Sequence, residues 1–338
     1  MDTTFGEERS PTLLTGMYEP LKDTYGREFN LPDFTMKEIL EAIPADCFER
    51  SARKGFGYVA RDLLLVVLTG FVAHYSIPWL PNDVLRFLGW MVYAFVQGCF
   101  GTGVWVLAHE CGHQTFSRWP LLNDTVGWVL HSFLLVPYFS FKITHGKHHK
   151  ATGHMLKDVV LIPKTLSTLI TRRGGKPPID DEELYDLTEE APIVSLYVFI
   201  IQDTLGWFGY LLLNMTGQKY PNRSRWSVNH FNPTSPLFTQ SQYNKILLSD
   251  LGVALTIVAL SFASRSNVLC YYLLPYFWVN FWLVLITYLQ HTDPALPHYR
   301  GEVWNFQRGA AATMDRDFGF IGEQVFHDIL KVQTEPKW

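Results

Sequence analysis

His109-Glu110-Cys111-Gly112-His113 and His145-Gly146-Lys147-His148-His149 are the two stretches that decide how this chain folds. Of the twelve histidines, seven lie between His109 and His154. The imidazoles stand at i and i+4 in the first stretch and at i, i+3 and i+4 in the second, so each set shares one face of a helix. Neutral imidazole binds Fe, Zn, Cu and Ni without bringing negative charge to a membrane boundary. The clustering therefore predicts a metal site rather than solvated histidines in a polar loop.

The first histidine stretch directly follows a segment that is apolar enough to cross a membrane, which takes about 20 residues. The four predicted spans are residues 58–78, 84–108, 247–263 and 268–289. Short connectors join the first two spans and the last two spans as hairpins. We therefore predict an all-α integral membrane protein with four transmembrane helices in two hairpins, interfacial helices and a cytosolic histidine-rich cap.

The distribution of positive charge predicts the orientation of these spans. Four basic residues lie before the first span or within its first residues: Arg50, Arg53, Lys54 and Arg61. The amino terminus is therefore predicted to be cytosolic, and the first hairpin returns His109 to the cytosol. If all the clustered histidines act in one compartment, an even number of crossings must separate them. Two weaker apolar segments, 126–141 and 193–215, are therefore predicted to lie in the membrane interface.

Composition bounds the remaining possibilities. Only 18% of the residues are charged and the net charge is −4, which gives no reason to expect a nucleic-acid partner. The four cysteines form no CxxC pair, so neither a disulfide framework nor a thiolate zinc site is predicted. The chain divides into a cytosolic amino-terminal segment (1–56), a membrane domain (57–327) and an atypical carboxy-terminal end (328–338).

The first histidine stretch also reads as HExxH, the pattern of zinc metalloproteases with Glu110 as general base. An intramembrane zinc protease is therefore an alternative. A catalytic zinc takes three protein ligands and keeps one open position. One HExxH with one distant ligand would satisfy it and leave the second histidine stretch unexplained, whereas two metal ions use both stretches.

Several ordered motifs resemble those of one family of enzymes. Residues 108–114 and 145–154 resemble the first and second histidine boxes of the membrane acyl-lipid desaturases of the oleate Δ12 type, the second in a fungal form. Residues 288–299 are similar to the segment after that family's last span, and residues 314–319 and 325–327 to the stretch that leads to its third box. The resemblance runs from about Phe34 to about His327 in the family's order and spacing.

The resemblance implies a multi-pass enzyme of the endoplasmic reticulum membrane with cytosolic histidine boxes. Such an enzyme holds two iron ions and uses O2 and two electrons from a cytochrome-b5-type donor to desaturate a fatty acyl lipid or acyl-CoA, here at Δ12 of an oleoyl chain. The implied iron ligands are His109, His113, His145, His148, His149 and His291. No catalytic residue beyond the ligands is predicted. His298 is a further candidate ligand, and His327 a structural residue.

The chain departs from the family pattern after His327, because no third HxxHH box follows it. We therefore expect an incomplete iron set in this chain, and a catalytically inactive truncated relative is an alternative function. A sister activity is another: ω3 desaturase, hydroxylase or acetylenase. The predicted lining of the acyl tunnel is Trp105, Phe133, Tyr138 and Phe139. The predicted docking residues for the electron donor are Lys142, Lys147, Lys150 and Lys157.

Overall fold

The computed structural model describes residues 34–163, 192–293 and 296–314, and all regular elements within these ranges are helices. Over the same residues no β-strand occurs, and one isolated bridge pairs His154 with Tyr299. The predicted all-α class is therefore confirmed for the described part of the chain. Most of the predicted amino-terminal segment and all of the predicted end segment 328–338 lie outside the described residues.

The described part of the chain contains nine main α-helices and several short helical turns. The α-helices are α1 (Met36–Ala42), α2 (Ala52–Ser76), α3 (Asp83–Gly112), α4 (Pro120–Phe133), α5 (Tyr138–Ala151), α6 (Pro192–Leu213), α7 (Tyr243–Ser261), α8 (Leu274–His291) and α9 (Phe306–Ala311). A short helix, Arg265–Asn267, and a π-helical segment, Val268–Leu273, lead directly into α8. Short 3₁₀ turns occupy Ala45–Phe48, Ile77–Trp79, Arg225–Ser227, Gln240–Gln242 and Gly301–Val303.

Both predicted hairpins are present as apolar helices. The turn between α2 and α3 contains Pro78, which has no N–H to continue a helix, and the Asn82 side chain then accepts from the Leu85 N–H at 2.9 Å to cap α3. In the second hairpin, Ser264 accepts from the Asn267 N–H at 3.3 Å and starts the return toward α8. All four predicted spans are helices with the length and composition of membrane spans, and the helices extend beyond the predicted limits at most ends.

Helix α3 lies at the centre of the bundle. In its most apolar window 67% of the residues are buried within the protein, compared with 11% for the α2 segment. The outer face of α2 carries exposed apolar side chains such as Leu64 and Val67, which suit a lipid environment. α3 packs against α2, α4 and α8, so the histidines at its carboxyl end are held from several sides.

The segment predicted as one interfacial element over 126–141 is instead divided between α4 and α5. The two helices meet at 108° across residues 134–137. Leu135 has φ 55°, a left-handed conformation that a helix cannot continue through, and Pro137 stands directly before α5. The bend directs α5 and its histidines toward the end of α3.

Helix α6 contains most of the second predicted interfacial segment, 193–215. It is one of five described helices that are long and apolar enough to cross a membrane, and the count is six if α4 and α5 form one bent span. Length and composition therefore do not distinguish a crossing α6 from an interfacial one.

We predict that Gly98→Ala destabilises the protein, because α3 and α8 touch at this glycine. A Cβ at Gly98 would lie 2.2 Å from Trp278 Cβ and 3.2 Å from the Pro275 carbonyl oxygen, so the backbones must separate. Overpacking of this kind costs about 1–3 kcal/mol. Gly57→Ala on α2 is the matched control, because a Cβ there meets nothing within 4 Å. Thermal unfolding in detergent should show a lower midpoint for Gly98→Ala alone; equal midpoints would contradict this contact.

Candidate metal centre

The ends of three helices bring the predicted ligand histidines together. His109 stands in the last turn of α3 and His113 is its C-cap residue, while His145, His148 and His149 lie on α5. His291 is the last residue of α8, which returns from the far end of the bundle. The six histidines predicted as ligands form two adjoining groups. The groups are in contact on α5, where the ring centroids of His145 and His148 are 6.0 Å apart.

The first group consists of His109, His113, His145 and His149, and we call it the four-histidine cluster. Their candidate ligand atoms all lie within 4.8 Å of one another. The Nε2 atom of His109 is 2.6 Å from that of His145 and 3.1 Å from that of His113, and the Nε2 atoms of His145 and His149 are 2.9 Å apart. Imidazole nitrogens about 2.1 Å from one ion, at right angles, stand about 3 Å apart. The cluster therefore has the donor atoms and spacing to hold a metal ion.

The second group is built around His148 and His291, whose Nε2 atoms are 3.4 Å apart. His298 is near enough to His148 and His291 to interact with them electrostatically, and burial lowers its own pKa. These three imidazoles are candidate donors for a second metal ion. The residues that resemble the approach to the family's third box, 315–319 and 325–327, lie outside the described residues.

Glu110 is buried next to His109, on the Nδ1 side of its ring, which faces away from the other three histidines of the cluster. Its Oε1 atom is 3.2 Å from His109 Nδ1, and its Oε2 atom accepts from Thr115 Oγ1 at 2.7 Å. A carboxylate on Nδ1 favours the tautomer in which Nε2 is free for a metal. This position suits a group that orients a ligand, and it does not suit a general base that faces a metal-bound water. The position of Glu110 therefore does not support the zinc protease alternative, in which this residue is the general base.

Asp158 orients a histidine of the second group, as Glu110 orients His109. This residue is not among those predicted from the sequence. Its two carboxylate oxygens lie 2.8 and 2.9 Å from His148 Nδ1, and Asp158 itself is 1% exposed. Oδ1 also accepts from the Val160 N–H at 2.9 Å, which fixes the carboxylate in place. His148 Nε2 is thereby directed at His291. No helical spacing relates Asp158 to His148 because the chain turns at Gly153, whose φ is 71°.

Packing against neighbouring rings favours the neutral form of His145 in the four-histidine cluster, whereas His149 at its edge is exposed. Burial, followed by the neighbouring imidazoles, lowers the pKa of His145 well below its ordinary value. A neutral imidazole is the form that binds metal. Trp105 stacks on His109 with ring centroids 5.5 Å apart, and Phe141 stacks on His145 at 4.8 Å. Both aromatic rings exclude water from one side of the cluster.

The residues predicted to line an acyl tunnel occupy different places. Trp105 is buried against His109, as a tunnel residue near the metal should be. Phe133, in contrast, is 55% exposed on the outside of α4. Tyr138 and Phe139 pack with Cys111 and Phe116 in a separate small core. Two of the four residues lie near the ligand histidines. Trp105 stacks on His109, and Tyr138 lines a small cavity together with His109, His113 and His145.

The lysines predicted to dock an electron donor divide into two pairs. Lys142 forms an ion pair with Asp124, and Lys147 donates to the Leu237 carbonyl oxygen at 2.6 Å. Lys150 and Lys157 are exposed near the second histidine stretch. The exposed pair is therefore the part of the predicted set that is available to a partner.

Comparisons with known proteins agree with these observations. The family model described as fatty acid desaturase matches residues 88–311. A protein named Delta(12) fatty acid desaturase from Mortierella isabellina is 50% identical over 316 residues, covering 91% of this chain and 78% of that protein. An oleate hydroxylase from Claviceps purpurea is 46% identical and covers 92% and 68%. An omega-6 fatty acid desaturase named as an endoplasmic reticulum isozyme, from Glycine max, is 41% identical and covers 92% and 76%.

We predict that Asp158→Asn weakens metal binding at the second group by about 10–100-fold, because His148 loses the carboxylate that orients it. Titration with Co²⁺, followed by its visible absorbance, measures the affinities of both groups separately. The four-histidine cluster should keep its affinity, since Asp158 does not touch it. Asp83→Asn is the control, because the Asp83 side chain is 97% exposed at the start of α3. An unchanged affinity at both groups in Asp158→Asn would contradict the orienting role.

Proposed function

Because the chain belongs to the fatty acid desaturase family, we propose that it inserts a cis double bond at Δ12 of an oleoyl chain with O2 and two electrons. The observation that carries this proposal is the 50% identity, over 91% of the chain, to fungal proteins named Delta(12) fatty acid desaturase. The family resemblance of the two histidine stretches points the same way.

The proposed cofactor is a pair of iron ions, and the donor set fits it. His109, His113, His145 and His149 would hold one ion, and His148 and His291, with His298, would contribute to the other. Iron accepts imidazole ligands, and neutral donors leave the metals their positive charge at the membrane boundary. When bound, the irons supply the strongly oxidising chemistry that an unactivated C–H bond requires and that no side chain provides.

The chain's own residues orient the ligands and shield them. Glu110 and Asp158 hold His109 and His148 in one tautomer, while Trp105 and Phe141 cover the four-histidine cluster. Trp207 of α6 packs against both aromatic rings, with centroids 6.0 and 5.7 Å away. An acyl chain, which has no hydrogen-bonding groups, can pack against these aromatic rings. The proposed substrate is therefore an oleoyl group, carried on a lipid or on CoA, that reaches the metals between the membrane helices.

Electrons have to come from a separate protein, and a cytochrome-b5-type donor is the proposed partner. The exposed Lys150 and Lys157 offer positive charge to an acidic surface close to the second histidine stretch. They lie on the side of the bundle where the histidines converge, so an electron would travel a short distance to the metals.

We propose that this side is cytosolic in the endoplasmic reticulum, with four crossings and an α6 that does not cross. A contact between the residues that flank the loop and α6 supports this: the Ile162 N–H, just before residues 164–191, donates to the Thr216 carbonyl oxygen, just after α6, at 2.8 Å. If α6 crossed, residues 164–191 would have to cross as well, and their sequence includes seven carboxylates. Along α6, Phe199 contacts Phe281 and Phe208 contacts Tyr276, so α6 packs against α8.

A sister activity remains a second candidate function because the Claviceps purpurea relative is named an oleate hydroxylase. Desaturation and hydroxylation both begin with oxidation of the same unactivated carbon, so the same ligand histidines serve either outcome. Analysis of the product separates the two reactions directly.

We predict that expression in a yeast that makes oleate but no linoleate produces linoleate. His109→Gln and His145→Gln should reduce it to background, because each removes a donor from the four-histidine cluster. His74→Gln is the matched control: this histidine contacts Tyr271 at the far end of the bundle, at 2.9 Å. Gas chromatography of total fatty acids gives the product, and elemental analysis of the purified chain gives iron per chain.

Each result has a defined meaning. Linoleate with two irons per chain supports the proposal, whereas a hydroxylated C18 acid would assign the sister activity. No product and little iron would identify an inactive relative. One zinc per chain, with a cleaved peptide substrate, would revive the protease. Loss of linoleate in His74→Gln would mean that the substitutions act through folding.

We predict from the proposed topology that both ends of α6 are on the cytosolic side. Pro192→Cys, Arg223→Cys and Ser264→Cys, each in a cysteine-free background, place one thiol at an exposed residue. In sealed microsomes, a membrane-impermeant maleimide should label the first two without detergent. Ser264→Cys, in the far connector of the second hairpin, should need detergent. Labelling of Pro192→Cys only after detergent would show that α6 crosses the membrane.

A further inference from the structure

The chain that follows α8 folds back onto the turn that follows α5. We call residues 298–312, which start at His298 and end just after α9, the return segment. Two main-chain hydrogen bonds pair its start with the turn. The Tyr299 N–H donates to the Gly153 carbonyl oxygen at 2.8 Å, and the Met155 N–H donates to the Tyr299 carbonyl oxygen at 2.9 Å. The main chain next to His298 is therefore fixed to the end of α5.

Trp304 provides a second contact between the return segment and the same turn. Its indole Nε1 donates to the Thr152 carbonyl oxygen at 3.0 Å, and its ring centroid is 5.1 Å from that of His154. Thr152 is the C-cap residue of α5, where the last carbonyl groups of a helix have no partner within the helix. The indole N–H therefore satisfies a carbonyl that α5 itself leaves open.

Gly309 of α9 makes the closest approach to the turn. A Cβ at this residue would lie 2.1 Å from the Thr152 carbonyl oxygen and 2.7 Å from Trp304 Nε1. On the other side of the contact, the nearest atom to a Cβ at Gly153 would be the Cα of Gly309, at 3.5 Å. The two main chains therefore meet with a glycine on each side. A side chain at residue 309 would have to push the return segment away from α5.

The turn and the return segment both lead to the second histidine group. The turn continues to Asp158, whose N–H donates to the His154 carbonyl oxygen at 3.1 Å and whose carboxylate faces His148. The return segment carries His298, which is near enough to His148 and Asp158 to interact with them electrostatically. The position of His298 relative to His148 therefore depends on how the return segment packs on the turn.

We propose that Trp304 and Gly309 are positioning residues of the second group. They fix the return segment on the turn after α5 and thereby place His298 beside His148 and His291. This inference rests on the proposed metal centre, and it adds two residues that determine the second metal position from outside the set of ligands. The four-histidine cluster lies on the end of α3 and on α5, before the turn, so its affinity for metal should not depend on these two residues.

Titration of the purified full chain with Co²⁺ tests this proposal, because the visible absorbance of Co²⁺ reports both groups. Trp304→Phe keeps an aromatic ring and loses the N–H donor, so the second group should bind Co²⁺ about 2–10-fold more weakly. Gly309→Ala displaces the return segment and should weaken the same group by about 10–100-fold. The four-histidine cluster should keep its affinity in both variants. The matched controls are Trp226→Phe, at a side chain that is 74% exposed, and Gly57→Ala, where a Cβ meets nothing within 4 Å.

A double-substitution cycle distinguishes the positioning of His298 from a general loss of structure. His298→Gln alone should weaken Co²⁺ binding at the second group. In a His298→Gln background, Trp304→Phe should have little further effect, because the donor that it positions is already absent. Trp304→Phe, which adds no atoms to the contact, carries the test if Gly309→Ala does not fold.

The outcomes separate this inference from the proposed function. Unchanged affinity of the second group in Trp304→Phe and Gly309→Ala would overturn the positioning role. Equal losses at both histidine groups would also overturn it, because disruption of the whole fold would then be the cause. The same loss from Trp304→Phe with and without His298 would show that the indole does not act through His298. An unmodified chain without a second Co²⁺ site would refute the second metal position of the proposed function, and with it this inference.

Discussion

The structure depends on one constraint: imidazoles from α3, α5 and α8 have to meet at one end of a helix bundle. Two hairpins satisfy it because each leaves and returns on the same side, so His109 and His291 end at the same level. α3 and α8 approach closely at Gly98 and Gly101, where side chains would keep them apart. The bend after α4 then lays α5 across these ends. The two hairpins, the close approach of α3 and α8 and the bend before α5 therefore all bring the histidines to one place.

Electrostatics explains why imidazole and buried carboxylate occur together here. A group of charged ligands at a membrane boundary would be costly, and neutral imidazoles avoid that cost. Glu110 and Asp158 are each buried, and each carboxylate faces the Nδ1 atom of a ligand histidine. A hydrogen bond from Thr115 to Glu110 and one from the Val160 main chain to Asp158 help to fix these carboxylates in place. A carboxylate held in this way orients a neighbour and has little freedom to act as a base.

The sequence predicts the parts of this site that follow helical periodicity, and misses those that depend on turns. Spacings of i, i+3 and i+4 place His145, His148 and His149 on one face, and hydropathy predicts the hairpins. Asp158 is invisible to such reasoning because a glycine turn brings it back to His148. The division between α4 and α5 depends on Leu135 and Pro137, whose combined effect no periodicity reveals.

The two histidine groups differ in how much of the fold each one needs. The four-histidine cluster draws on the end of α3 and on α5 alone, and all of its donors lie between residues 109 and 149. The second group depends on His291 and His298, more than a hundred residues after His148. Its geometry therefore follows the packing of α8 against α3, and a shift of α8 by a fraction of a turn moves His291 while the first group stays intact.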